Sequence, residues 1–319
     1  MSKKISYTSF RRLIGWNRKV DERMGTEGIW RALPRRIREK IGAEELRHLQ
    51  EIRLRCGQPV ALKEQDGSLR FLEEVLSVAE LRETVALLSE YSLYAFSEEL
   101  RQGYLTLEGG HRVGFCGKAV LEKGEIRTLR QINALNIRIA RQQKGWAEAF
   151  LPQLMEGERF CHTLIVSPPG CGKTTLLRDM VRCLSNRHYT VGVADERGEI
   201  CPLRDGLPQM DVGQCTDVLE GCPKAEGMRM LLRSMNPRII AVDELGGEGD
   251  AAAVRQVLCC GVQLLATAHG YGVADVRRRL GALAEEEIFE RYLVLSDRLG
   301  TGTLEGIFDG KGRKREAVE

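Results

Sequence analysis

The residues best suited to chemistry in this 319-residue chain form one short run, Ser167-Pro168-Pro169-Gly170-Cys171-Gly172-Lys173-Thr174-Thr175. An apolar stretch, 163–166, leads into it and a helix-compatible stretch, 176–182, leads out. Strand, Gly-rich turn and helix is the setting in which backbone N–H groups converge on a phosphate, with the helix N-terminus adding its positive end. Within the run, Lys173 is expected to reach the β- and γ-phosphates of ATP, and Thr174 to offer its hydroxyl to Mg2+. One position departs from the usual G-x-x-x-x-G-K-[ST]. Ser167 stands where the first glycine is expected. Serine resists positive φ, so a slightly different strand exit is predicted there.

A second apolar run, 238–242, ends in Asp243-Glu244. An apolar strand ending in acid suits the metal side of a phosphate site. Asp243 is expected to hold Mg2+, through water, and Glu244 to polarise the attacking water. Two further apolar runs end in polar pairs: 190–194 in Asp195-Glu196, and 262–267 in Ala268-His269. In a parallel sheet the carboxyl ends of such strands open on one edge, where these sheets bind ligands. Asp195, Glu196, Asp243, Glu244, Thr267 and His269 are therefore expected to converge near the γ-phosphate. Glu196 competes with Glu244 for the general-base role. His269 fits a γ-phosphate contact or a sensor of hydrolysis, and equally an ordinary loop histidine satisfied by its neighbours. Fixed positive charge at the γ-phosphate accelerates phosphoryl transfer by on the order of 10³–10⁵. Arg112, Arg130, Arg138, Arg197, Arg229 and Arg233 are the candidates, against the plainer role of solubilising the surface. Arg229 and Arg233 stand four apart, on one helix face.

These groups must be placed by the elements around them. Across 151–310, short apolar strands at 163–166, 190–194, 238–242, 262–267 and 292–295 alternate with helical or looped segments. That rhythm predicts an α/β fold, a parallel sheet with helices on both faces in the manner of a P-loop NTPase. A smaller α+β domain, 51–150, is expected ahead of it. There 51–55 alternates as a strand, and Leu81, Val85 and Leu88 have helical spacing within 78–91. Residues 104–107 and 112–115 flank Gly109-Gly110 as a hairpin, and 136–140 alternates again. Pro152 and the charged stretch 156–159 read as the approach to the next domain. Residues 1–50 are expected to form a basic helical region punctuated by Pro34 and Gly42, and 311–319 a charged, frayed tail.

Composition bounds the rest. The chain is 43% hydrophobic and 29% charged, ordinary for a soluble globular protein. A net charge of +3 is too small to argue for nucleic acid. Residues 1–40 nevertheless hold 12 Lys/Arg against 4 Asp/Glu. Such an arm suits an anionic membrane surface, RNA or an acidic neighbour, or is simply a solvated helical face. No run approaches the ~18 apolar residues of a membrane span, and no signal-peptide pattern opens the chain. The ten cysteines include no C-x-x-C pair. They are expected to be reduced packing groups in a cytosolic protein.

On these residues the chain resembles the stage III sporulation protein AA family of endospore-forming bacteria. That family is similar to the hexameric ATPases of type II and type IV secretion and pilus motors. The resemblance runs from about residue 50 to 300. It is carried by 168–179, 195–200, 216–219, 223–228, 232–237, 242–244 and 266–270, with 109–114 and 135–139 ahead of them. It implies a homo-oligomeric ring, a hexamer, with nucleotide between subunits. It implies that Asp195-Glu196 and His269 correspond to the acidic and histidine boxes of secretion ATPases, and that Arg112 and Arg138 face a neighbour's phosphates. It also implies a cytoplasmic motor, peripheral to the membrane on the mother-cell side and docked on membrane-embedded sporulation channel proteins. The full Asp243-Glu244 pair departs from the degenerate metal-side strand of many secretion motors. That favours Glu244 as base and puts Glu196 in doubt. Two other readings compete with the motor. A nucleotide-gated scaffold would need ATP binding alone. A nucleic-acid-dependent ATPase would draw on the KH-like look of the first domain in this family. The G-x-x-G clamp of a KH module is read as missing from 51–145, since Gly109-Gly-His-Arg does not fit it.

Overall fold

The computed structural model describes residues 25–90, 101, 103–246, 249–281, 283 and 286–316. The first 24 residues of the basic arm lie outside them. The chain divides into two compact units between Arg141 and Gln142, ahead of the division expected near residue 150.

In the first unit, three short helices, α1 (Thr26–Ala32), α2 (Arg35–Arg38) and α3 (Ala43–Leu46), are broken where expected. Pro34 precedes α2 and Gly42 precedes α3. Six strands follow in antiparallel pairs: β1 (Glu51–Arg55), β2 (Pro59–Lys63), β3 (Leu69–Val75), β4 (Tyr104–Thr106), β5 (Arg112–Glu122) and β6 (Glu125–Arg138), in the order β3-β2-β1-β6-β5-β4. Helix α4 (Val78–Leu88) starts at a capping box, in which Ser77 and Glu80 satisfy each other's backbone N–H groups. It buries Leu81, Val85 and Leu88. Ile29, Leu33, Ile37 and Leu46 share one apolar core with Ile52, Leu54, Leu62, Val113 and Ile137. Residues 25–50 are thus built into the sheet's core rather than standing as a separate region.

The β5–β6 hairpin is far longer than its legible ends at 112–115 and 136–140. Its outer half is exposed on both faces, so it carries no alternation for a pattern to reveal. This hairpin also corrects one reading. Gly114-Phe-Cys-Gly117 does have G-x-x-G spacing, but it lies inside β5, paired with β6, and forms no loop that could clamp a nucleic-acid backbone.

The second unit opens with two turns of 3-10 helix, Ala147–Ala149 and Leu151–Leu154, and a short hairpin of β7 (Met155–Glu156) and β8 (Arg159–Phe160). Pro152 and the 156–159 stretch are part of this unit, not a linker to it. Its main sheet contains β9 (Thr163–Ser167), β10 (Val191–Asp195), β13 (Thr216–Glu220), β14 (Ile239–Val242), β15 (Gln263–His269), β16 (Arg291–Ser296) and β17 (Thr303–Asp309), in the order β13-β10-β14-β15-β9-β16-β17. A two-stranded ribbon of β11 (Leu203–Arg204) and β12 (Leu207–Pro208) lies apart. All pairings in the main sheet are parallel except β16–β17. The five strands expected from apolar runs are all present. Strand β13 is half-buried along its whole length at the sheet edge, which is why no apolar run marks it.

Helices α5 (Lys173–Ser185), α6 (Lys224–Ser234), α7 (Asp250–Cys259) and α8 (Val273–Leu280) complete the unit. Met228, Leu231, Val254, Val257 and Val276 pack on Leu164, Val166, Ile240, Val242 and Ala266, so α6, α7 and α8 cover one face. Helix α5 packs against β9, β10 and β15 with Leu176, Leu177 and Met180 buried, outside that cluster. The expected frayed tail does not appear in 311–316. Arg315 N–H bonds to the Ile307 carbonyl at 2.8 Å and Arg313 N–H to the Asp309 carboxylate at 2.8 Å, folding the chain back along β17. All ten cysteines are free, but only Cys161, Cys171, Cys183 and Cys201 are buried. Cys116, Cys259 and Cys260 are exposed, so the packing role expected of the cysteines fails for these three.

Candidate active site

Strand β9 ends at Ser167, whose Cα partner on the neighbouring strand is His269. The chain then turns through Gly170 (φ 76°) and Gly172 (φ 87°) into α5. Gly172 is the helix cap, and a Cβ there would come within 3.3 Å of the Trp146 ring, so the position requires glycine on both counts. Ser167 keeps an ordinary negative φ. It is buried, and its hydroxyl donates to the Pro168 carbonyl at 2.8 Å. The serine in place of the first glycine therefore introduces no strain. Trp146 is held under the loop by Asp179, a fully buried carboxylate of α5 that accepts the N–H groups of Gly145 (3.1 Å) and Ala147 (2.7 Å) and an Arg182 N–H (2.7 Å).

Lys173 and Thr174, in the first turn of α5, meet the end of β14. Thr174 Oγ1 donates to Asp243 Oδ2 at 2.6 Å. The other Asp243 oxygen accepts the Thr267 hydroxyl from β15, and Thr267 Oγ1 in turn accepts the Glu244 N–H at 2.9 Å. Lys173, 6% exposed, places its ammonium 3.7 Å from Glu244 Oε1. His269 Nε2 is 2.9 Å from the same oxygen and 3.4 Å from Lys173 Nζ. A hydrogen on Nε2 satisfies Glu244, and Nδ1 is buried without a partner. Lys173 is then a neighbour of that nitrogen rather than a donor to it. Burial pushes the Glu244 carboxyl up. The hydrogen bond from His269 and the charges of Lys173, His269 and Arg197 outweigh that and hold it below the usual carboxylate range.

Asp195 lies at the same cleft, but its carboxylate is committed to the loop that follows it. It is 2% exposed and accepts the N–H groups of Glu199 (2.8 Å), Ile200 (3.0 Å) and Cys201 (2.8 Å), which folds the 196–201 loop around it. Burial raises its pKa despite those bonds. Arg178, buried in α5, grips the same loop through the Glu199 and Ile200 carbonyls. Glu196 does reach the cleft, lining it with Asp195, Arg197, Glu199, Lys224, Asp243 and Glu244. Its nearest ionic partner is Lys224 Nζ, 3.6 Å from Oε2.

Of the six candidate arginines, the structure brings Arg197 to the site, 3.5 Å from Glu244 Oε2 and largely exposed. Arg229 bonds to Gln256 of α7 at 3.1 Å and to Glu226, and Arg233 is exposed on the same helix. Arg112, Arg130 and Arg138 belong to the first unit. Arg112 lies over the Tyr104 ring at 4.7 Å and faces Arg138 across the β5–β6 ladder. Sequence reasoning missed Lys224, Asp179 and Arg178 as supports. A charged residue on the buried face of an otherwise amphipathic helix is the signal that marks Arg178 and Asp179.

The chain is similar to known proteins in sequence and in fold. The family model described as "Sporulation stage III, protein AA" matches residues 23–315. The stage III sporulation protein AA of Bacillus subtilis (strain 168) is 41% identical over 280 residues, covering 86% of this chain and 91% of that protein. Among solved structures, the Legionella pneumophila ATPase DotB superposes with a TM-score of 0.56 at 19% identity, over 82% of this chain and 76% of its own. The pilus retraction motor PilT with bound ADP does so with a TM-score of 0.53 at 16% identity, over 81% and 76%. The fold is therefore the P-loop fold of these ATPases.

Proposed function

The chain belongs to the stage III sporulation protein AA family, and from that premise we propose that it is a magnesium-dependent ATP hydrolase that works as a ring-forming motor in endospore formation. The observation that carries this reading is the 2.6 Å bond between Thr174, at the start of the helix behind the glycine turn, and Asp243, at the end of β14. It joins the phosphate side and the metal side of one site. The residues present fit a magnesium–nucleotide complex: a glycine turn entering a helix, a buried lysine beside it, and a hydroxyl already on a carboxylate.

Residues 167–175 hold the phosphates, with Lys173 compensating charge on the β- and γ-positions. Thr174 and, through water, Asp243 would hold Mg2+, which would neutralise charge on the phosphate oxygens. Glu244, ionised at neutral pH, accepts the proton of the attacking water as its oxygen bonds to the γ-phosphorus and the bond to ADP breaks. His269, through its Nε2 hydrogen bond, keeps the Glu244 carboxylate aimed and ionised. Glu196, paired with Lys224 at 3.6 Å, is the weaker candidate for base, since Glu244 is the carboxylate that meets Lys173 and His269. The assembly is a homo-oligomer, a hexamer, in which Arg112 and Arg138 serve a neighbouring subunit's γ-phosphate. The ring is peripheral to the membrane on the mother-cell side, against membrane-embedded channel proteins. No helix among the described residues is long and apolar enough to cross a membrane.

The test is the mass of the particle with and without Mg-ATP, measured beside its phosphate release. A ring of several copies that turns over ATP, and loses turnover but not assembly in Arg112→Ala or Arg138→Ala, supports the reading. A monomer under both conditions contradicts it.

A further inference from the structure

Lys224 opens α6 directly after Pro223. A lysine in the first turn faces the positive end of the helix, which disfavours it there. Its side chain is only 16% exposed, so the ammonium needs partners. It has two, from different loops. Nζ donates to the Glu244 backbone carbonyl at 2.7 Å and lies 3.6 Å from Glu196 Oε2. Gly227, one turn along, makes the approach possible. A Cβ there would stand 2.9 Å from Ala194 Cβ and 3.1 Å from Cys222 Sγ, so only glycine lets the start of α6 lie against the end of β10.

Glu244 is the residue that needs holding. Its φ is 54°, in the left-handed region, which a non-glycine residue keeps only when its surroundings hold it there. Its N–H is fixed by Thr267 Oγ1 and Asp243 Oδ1, and its C=O by Lys224. With the peptide groups on both sides held, the side chain is directed to His269 and Lys173.

We propose that Lys224 is a positioning residue for hydrolysis. Its one ammonium sets the backbone of Glu244 and the carboxylate of Glu196 relative to each other, so that Glu244 is presented as base while Glu196 is held aside. This rests on the reading of the site as an ATP-hydrolysing one. Lys224 acts through Glu244 rather than on the nucleotide, so its loss separates turnover from binding.

The experiment uses the full chain as wild type, Lys224→Met and Lys224→Arg, with kcat for ATP and the affinity for a fluorescent ATP analogue measured for each. Lys224→Met is expected to lower kcat by about 10- to 100-fold with nucleotide affinity unchanged. Lys224→Arg, which keeps the charge beside Glu196 and can still donate to the Glu244 carbonyl, is expected to recover most of that loss. Should Lys224→Met fail to fold, Lys224→Gln, which keeps a donor without the charge, carries the same comparison. Unchanged kcat in the folded variant, a parallel fall in kcat and affinity, or an arginine variant as poor as the methionine one overturns the assignment. A wild-type chain that releases no phosphate overturns the reading of the site, and this role with it.

Discussion

His269 Nε2 stands 2.9 Å from Glu244 Oε1, across the carboxyl ends of β15 and β14. Two groups 25 residues apart in sequence are thus joined by one hydrogen bond. Burial alone would raise the Glu244 pKa, and the His269 hydrogen bond is the foremost influence holding it down, ahead of the charges of Lys173 and Arg197. Replacing His269 by alanine leaves burial less opposed, so the Glu244 pKa rises. The acid limb of the kcat/KM profile for ATP is expected to move to higher pH in His269→Ala. An acid limb that stays in place would assign His269 a role apart from Glu244.

The Thr174–Asp243 bond predicts a metal phenotype. Thr174→Ala and Asp243→Asn each remove one of the groups proposed to hold Mg2+. The Mg2+ concentration for half-maximal turnover is expected to rise by about 10- to 100-fold. Binding of ADP without Mg2+ is expected to be little changed, because the glycine turn and Lys173 are intact.

Asp179 predicts a stability phenotype distinct from catalysis. The carboxylate is fully buried and satisfies two backbone N–H groups and the Arg182 guanidinium, itself mostly buried. Asp179→Ala leaves those groups without their acceptor, at a cost of about 3 kcal/mol or more in chemical denaturation. Trp146 loses its anchor beneath Gly172, so nucleotide affinity is expected to fall with stability rather than independently of it.

His111 predicts how the first unit responds to acid. It is fully buried, its Nδ1 accepts the Ala140 N–H at 2.9 Å, and burial pushes its pKa down from 6.5 to about 4. Between those values the unfolded chain takes up a proton that the folded chain refuses. Stability therefore falls as pH drops from 6.5 towards 4, by up to about 3 kcal/mol, and this contribution is flat above that window. His111→Gln, which can still accept the Ala140 N–H, is expected to remove the slope in thermal melts taken across this range.

Much of the second unit was legible in the sequence because its central strands are buried on both faces and read as apolar runs between glycine and polar turns. Parallel order then brings Lys173, Asp243, Glu244 and His269 to one edge. The place of Asp195 at the cleft was legible, but its partners were not. A carboxylate at a strand end serves equally to fold the next loop, and only the three N–H groups of 199–201 reveal which it does. Lys224 was illegible because its meaning depends on the close approach of α6 that Gly227 permits, a tertiary contact with no local pattern. Strand β13 and the outer β5–β6 hairpin lack a buried face, the one feature from which strand periodicity is read.

Lys173, Thr174, Asp243 and Glu244 are proposed to form one hydrolytic site. Phosphate release from Mg-ATP by the purified full chain, compared with Glu244→Gln and Lys173→Ala, tests this proposal most directly. Steady turnover is expected of the wild type. Glu244→Gln is expected to lose about 10²–10⁴-fold with ATP still bound, and Lys173→Ala to lose both binding and turnover. Turnover in Glu244→Gln equal to that of the wild type would contradict it.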